Sequence, residues 1–390
     1  MSELKVNSIK GVAASTAAIT INNTDGTCTA TVSNIPGRNR IINGACTVAQ
    51  RQTSAVTVSG DTYGVDRTYA YENTNGAITV EQSTESPDNF VNSLKATVTT
   101  ADTSLAAGQY VYVAQAIEGN NVADIGWGTS AAKRVALSFY VKSSVTGTFS
   151  GSMKTDSNTN YPFTYTIANT NWNRYTINVP PVTTGTMATN TSAGVRIYWS
   201  LGVGSDYQGS AGSWTTSGGT KIGASGETAL IGTNSATFHI TGIQFEVSDN
   251  GIATDFEHRS YSDELSRCHR YFHMIVDPST DTYSDDKGRQ PFMQGLVWNK
   301  DTKDCRFRGT FNVPMRASPS LYKVVGTAWF RIQVVGGVNT TSDWTLLGSW
   351  KEFFELKCTA IDSFGSDDAG MSIYAVCFNS GARVGWSAEL

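Results

Sequence analysis

The chain has 390 residues, enough for two or three ordinary domains with well-buried cores, and only 16% of them are charged, below the roughly 25% usual for soluble domains. Aromatic residues at 11% exclude a disordered chain, and a net charge of -4 without any basic cluster gives no electrostatic footprint for nucleic acid. No run of about 18 apolar residues occurs and Met1-Ser2-Glu3-Leu4-Lys5 lacks the apolar stretch of a secretory signal, so neither membrane insertion nor export is expected and the chain reads as one made in a cytoplasm.

Residues 1–36 are small, polar and rich in Thr and Ala, with one modest strand pattern at Ala18-Ile19-Thr20-Ile21. They cannot bury a core of their own, so they read as an arm that orders only against something else. From 37 to 258, period-two alternation recurs: Val135, Leu137, Phe139 and Val141 share one face, as do Val195, Ile197, Trp199, Leu201 and Val203, and Tyr175, Ile177 and Val179. One buried and one solvated face per strand, with turn signals such as Asn75-Gly76 and Gly218-Gly219 between them, predicts antiparallel sheets packed as a jelly-roll β-sandwich.

Residues 259–273 carry the one clear helical signature of an otherwise all-β sequence. Ser260 and Asp263 have the spacing of a capping box, and Leu265, Cys268 and Phe272 fall on one helical face. Residues 274–390 read as a second, small β domain, with strands at 292–298, 306–313, 328–335 and 372–378 and an acidic loop at 277–289. No repeat of fixed period occurs, which argues against a β-helix shaft or a propeller.

Candidate sites follow from residue chemistry. His269 and His273 have i, i+4 spacing beside Cys268, but adjacent helical positions diverge by about 100°, so no metal site is expected. Asp277, Asp281, Asp285 and Asp286 miss the spacing of a calcium loop. The six cysteines lack C-x-x-C spacing and need no pairing scheme. There is no G-x-S-x-G elbow, and the four histidines cluster around the junction rather than beside a Ser or Cys, so the chain does not read as an enzyme and no cofactor is expected. Glu257, His258 and Arg259 read as an interdomain or intersubunit joint, with Arg67 and Arg316 as loop anchors. Binding is the surviving class: flat aromatic faces with neighbouring amides and hydroxyls hold sugars, and Tyr207, Trp214, Trp344, Trp350 and Trp386 are the candidate glycan contacts.

The stretch Ala253-Thr254-Asp255-Phe256-Glu257-His258-Arg259-Ser260-Tyr261, running into Glu264-Leu265 and Cys268-His269-Arg270-Tyr271, resembles a junction found in appendage proteins of tailed bacteriophages. Asn39-Arg40-Ile41-Ile42-Asn43-Gly44-Ala45, Tyr63-Gly64-Val65-Asp66-Arg67, Gln115-Ala116-Ile117-Glu118-Gly119, Trp127-Gly128-Thr129-Ser130, Thr241-Gly242-Ile243-Gln244-Phe245-Glu246, Pro314-Met315-Arg316-Ala317-Ser318-Pro319 and Ala388-Glu389-Leu390 are similar to the same family in order along the chain. The resemblance implies a tail fibre or fibre-like appendage, of a marine or cyanobacterial podophage type, whose sandwich is similar to carbohydrate-binding modules. It further implies a homotrimer in the virion, docked by its N-terminal arm on tail adaptor or nozzle proteins, with the C-terminal domain as distal tip against a host surface glycan or receptor. A capsid-bound fibre or decoration protein, or a polysaccharide depolymerase, are the competing readings.

Overall fold

The computed structural model describes residues 6–9, 12, 19–21, 24, 28–30, 36–51, 54–155, 158–276, 291–299, 301–324, 330–334, 337–360, 372–377 and 383–390. The described strands are almost all antiparallel and the one α-helix among the described residues spans Tyr261–His269, so the chain is all-β, as the alternation predicts.

Two six-stranded sheets form the body. One runs Asn173–Val179, Val135–Ser143, Thr237–Val247, Ser93–Thr100, Ala77–Ser83, Val56–Thr57, and the other Asn160–Ile167, Gly147–Lys154, Ala193–Val203, Tyr110–Glu118, Thr68–Asn73, Thr62–Val65. Successive side chains in a strand point to opposite faces, so each apolar series lands on one face. Val135, Leu137, Phe139 and Val141 are buried opposite Val195, Ile197, Trp199 and Leu201 in a single core drawn from both sheets. Phe139 meets Trp199 edge-on at 5.7 Å between ring centroids and Phe149 stacks with Phe238 at 6.2 Å, each large side chain contributing about 1.5–3 kcal/mol by its burial.

The Asn39 to Ala45 segment is pinned along the central Thr237–Val247 strand. Asn39 donates from Nδ2 to the Ile243 carbonyl at 3.1 Å and accepts from the Phe245 N–H at 3.1 Å, while the Ile243 N–H donates to Gly44 O at 3.0 Å. A Cβ on Gly44 would sit 2.2 Å from the Ile243 carbonyl oxygen. Gly44→Ala is therefore expected to cost about 1–3 kcal/mol, read as a lower urea midpoint at unchanged slope.

The helix begins as its spacing predicts: Ser260 is the N-cap and accepts from the Asp263 N–H at 3.2 Å. The Asp263 carboxylate pairs with Arg267 one turn on at 3.2 Å. The helix is shorter than the expected 259–273, however. Tyr271 and Phe272 are β-favouring aromatics, and Phe272–Val276 pairs instead with Arg383–Ser387, which in turn pairs with Ser320–Val324. Phe272 thus belongs to a strand, and His269 and His273 are not helical neighbours.

Six further strands close a barrel in the order Pro291–Asn299, Asp304–Thr310, Phe353–Ala360, Gly337–Ser349, Phe330–Val334, Ser372–Cys377. Val297, Cys305, Phe307, Leu356 and Cys358 fill its interior, continuous with Met315, Phe354 and Trp386. Cys305 and Cys358 are register partners, both buried as free thiols, and burial pushes the Cys358 thiol well above its ordinary range. Both are expected to resist maleimide in the folded chain and to react once it is unfolded in urea, read by mass spectrometry of the labelled peptides. The acidic residues Asp277, Asp281, Asp285 and Asp286 lie outside the described residues, as does most of 1–36, of which Ser8–Ile9, Ile19–Ile21 and Cys28–Ala30 form a small sheet.

Candidate functional site: a tyrosine face and a buried joint

Glu257, His258 and Arg259 lie where the sandwich chain enters and leaves. Glu257 accepts from the Gly37 and Asn39 N–H groups at 2.8 and 2.9 Å, which lowers its pKa against the opposing effect of burial. Arg259 donates to the carbonyls of Ile41 (2.9 Å) and Asn39, and His258 packs against Phe90 at 5.1 Å and Phe256 at 4.8 Å. Glu257 and Arg259 thus hold residues 37–41 against the exit segment, while His258 packs it on Phe90.

The contacts that join the sandwich to the C-terminal strands come from residues far apart in sequence. Glu389 accepts from Arg51 at 2.8 Å and from Arg67, whose guanidinium lies over the Tyr271 ring at 3.6 Å. Glu118 takes Arg270 at 2.6 Å and the Tyr271 hydroxyl at 2.7 Å. Arg316 donates to three carbonyls, Ala388 (2.8 Å), Glu389 (2.7 Å) and Thr191 (2.8 Å), which names the partners that spacing leaves open for Arg67 and Arg316.

The outer face of the second sheet carries a surface that no sequence motif announces. Tyr69 and Tyr71, Tyr110 and Tyr112, and Tyr198 project from three neighbouring strands, with Tyr63 at one edge and Tyr207 beside Tyr110. Tyr71, Tyr110 and Tyr112 lie with near-parallel planes, 14° to 25° apart, at centroid distances of 5.7 to 5.9 Å. Tyr198 meets Tyr112 edge-on at 5.0 Å, and Tyr207 meets Tyr110 edge-on at 4.6 Å. Tyr71, Tyr110, Tyr207 and Arg196 are half-buried and so present part of their surface to solvent. Burial pushes the phenols of Tyr63, Tyr69, Tyr112 and Tyr198 up, so they remain hydroxyl donors at neutral pH. At the Tyr63 edge the surface borders a cleft of about 360 Å3 lined by Arg51, Asp61, Tyr63 and Tyr322.

Of the aromatics expected to contact a glycan, Tyr207 belongs to this face. Trp214 braces a loop, donating from Nε1 to the Pro180 carbonyl at 2.8 Å and packing on Trp127 at 4.9 Å. Trp386, on the Arg383–Ser387 strand of the three-stranded sheet, is fully buried at 0% exposure, packs on Phe354 at 4.2 Å and Phe311 at 5.8 Å, and offers no face to a ligand. Trp350 is exposed and stacks on Phe353 at 4.4 Å, while the side chain of Trp344 lies outside the described residues.

The histidines differ from the expected arrangement. His239 lies beside Ser93, Nδ1 to Oγ 3.3 Å, with Glu85 3.5 Å from its other ring nitrogen. That constellation resembles a nucleophile and base only on paper: Ser93 is fully buried and its hydroxyl donates to the Glu85 carbonyl at 2.6 Å. His269 and His273 stack at 4.2 Å while Cys268 is buried under the helix, and among the described residues no three His, Cys, Asp or Glu side chains converge on a metal-sized site.

Two buried groups give the fold opposite pH responses. Glu227, held by the hydroxyls of Ser200 (2.6 Å) and Ser150, is pushed up to about 7 by burial. Its folded form binds the proton more tightly than the unfolded chain does, so its contribution to stability is present at low pH and lost as pH rises from 4.5 toward 7. Glu227→Gln is expected to gain on the order of 1 kcal/mol over the parent at pH 8 and nothing at pH 4, read from urea midpoints at both values. His239, lowered to about 4 by burial, acts the other way: its contribution is full above 6.5 and is lost as pH falls to 4.

No family model and no curated protein matches the chain. Among solved structures it is similar to the enzymatically active domain of bacteriophage CBA120 tailspike protein 4 (11% identity, TM-score 0.28, 54% of this chain and 22% of that one). It is also similar to the family 11 carbohydrate-binding module from Clostridium thermocellum in complex with a β-1,3-1,4-mixed-linked tetrasaccharide (13% identity, TM-score 0.26, 52% and 98%). A third is TmCBM61 in complex with β-1,4-galactotriose (9% identity, TM-score 0.28, 54% and 99%). The chain thus overlaps about a fifth of the tailspike domain and nearly all of each module, with roughly half of its own length left outside every one of these likenesses.

Proposed function

We propose that the chain is a non-catalytic attachment protein that takes a surface glycan on the tyrosine face. The observation that carries this reading is the clustering of Tyr71, Tyr110 and Tyr207 as half-exposed rings over the protonated phenols of Tyr69, Tyr112 and Tyr198. Flat ring faces take the C–H face of a pyranose, and hydroxyls that both donate and accept fix its orientation. The resemblance to tailed-phage appendages supports a tail fibre: residues 1–36 dock on tail adaptor or nozzle proteins, the sandwich extends the arm, and three parallel chains give each weak glycan contact the benefit of avidity.

The test applies the full chain to polysaccharides extracted from the envelope of bacterial hosts and measures its mass in solution. Binding to at least one of them by a species three times the chain mass is expected. Failure to bind any, in a folded sample, overturns the glycan reading, and a stable monomer overturns the trimeric fibre. A virion map locating the N-terminal arm at the capsid instead of the tail would favour a decoration protein.

A further inference from the structure

The barrel carries an aromatic and cationic cleft of its own, far in sequence from the tyrosine face. Leu296 and Trp298 alternate onto the outer side of Pro291–Asn299, with Val297 between them buried inward. Leu296 is the register partner of Arg306, and Arg308 that of Glu355. Gln294, Leu296, Trp298, Arg306, Arg308 and Glu355 line a cleft of about 460 Å3, within the range of small-ligand sites. A tryptophan 60% exposed on the outside of a barrel whose interior is already filled is not needed for the core.

The charges at the cleft are unequal: Arg306 pairs with Asp304 at 3.5 Å and Glu355 at 3.9 Å, and Lys357 reaches Asp304 at 3.1 Å, so that with Arg308 three cations stand against two carboxylates. The Arg306 guanidinium lies over the Trp298 ring at 4.1 Å, and its Nε is buried with no hydrogen-bond partner among the described residues. The Arg308 side chain is 72% exposed and pairs with Glu355 at 3.4 Å. That balance leaves a net positive charge beside a flat indole face. We propose that this cleft is a saccharide site selective for an acidic sugar unit: the free indole face takes the pyranose ring and Arg308, whose planar fork matches a carboxylate, takes the uronate group. The site stands apart from the tyrosine face and does not depend on it.

The test titrates the full chain by calorimetry with a glucuronate-bearing tetrasaccharide, alternating glucuronate and N-acetylglucosamine, and with the neutral N-acetylglucosamine tetramer. Tight preference for the acidic sugar is expected, weakened roughly tenfold in Trp298→Ala and in Arg308→Gln. Both altered side chains are solvent-exposed, so folding is preserved. Absence of binding, equal affinity for the neutral tetramer, or affinity indifferent to both barrel variants overturns the proposal, and a loss seen only in Tyr71→Ala assigns the sugar to the tyrosine face instead.

Discussion

Glu389→Ala is expected to cost about 3–5 kcal/mol, the largest loss of any single substitution considered for this fold. The Glu389 carboxylate is the shared acceptor of Arg51 and Arg67, whose side chains are 6% and 3% exposed. Without it, Arg51 retains Asp66 at 3.6 Å and the faces of Tyr63 and Phe272, and Arg67 retains the Ala116 carbonyl at 2.6 Å and the face of Tyr271. Two buried cations would then face one carboxylate, and the full desolvation penalty would appear as lost stability. Chemical unfolding of the full chain, followed by fluorescence and by circular dichroism so that a separate barrel transition is seen, is the measurement. Because the pair is buried, the loss should change little between low and high salt. A loss below about 1 kcal/mol would show that Glu389 is an ornament of the joint rather than its anchor. Combining Glu389→Ala with Arg67→Ala should cost less than the two losses added, as required of groups that act on each other.

Removing Tyr71 and Tyr110 together is expected to weaken glycan binding about a hundredfold, equivalent to about 2.7 kcal/mol, while changing stability by less than 1 kcal/mol. The separation follows from their position. Both rings are half-buried and lean on each other at 5.7 Å, so truncating them removes a platform without opening a cavity. Tyr69 and Tyr198 are fully buried and support that platform from below, so Tyr198→Ala should lose stability as well as binding. Calorimetric titration with the polysaccharide that the parent binds, beside urea unfolding of each variant, tells the two outcomes apart. Undiminished affinity in Tyr71→Ala,Tyr110→Ala would move the site elsewhere.

Much of the fold was legible because burial writes itself into alternation. Val135 to Val141 and Val195 to Val203 each repeat with period two, and each such face is buried in the common core. Ser260 marks the helix start because an N-cap side chain satisfies a local N–H, a bond that needs no tertiary partner. The helix end was not legible in the same way: Phe272 fits the helical stripe of Leu265 and Cys268, and only pairing with Arg383–Ser387, more than a hundred residues on, draws it into a strand. Sequence patterns likewise give two faces to a strand without saying which is inward, so Trp386 reads as a surface aromatic and Trp298 is passed over, whereas the structure buries the first and leaves the second exposed on the outside of the barrel. The tyrosine face is assembled from residues 63 to 71, 110 to 112, 198 and 207. Each tyrosine alone looks like an ordinary outward residue of its strand, and only the order of the sheet brings them side by side.

The role proposed for the chain is adhesion without chemistry. The most direct test incubates the purified chain with a polysaccharide that it binds, at the pH of binding and near pH 7 where Glu227 exchanges its proton, and follows polymer length and reducing ends over hours. The polymer is expected to be recovered at its starting length with no new reducing ends, still able to bind a fresh sample of the protein. Steady shortening of the polymer, abolished by Glu227→Gln, would contradict the account and make the chain a depolymerase.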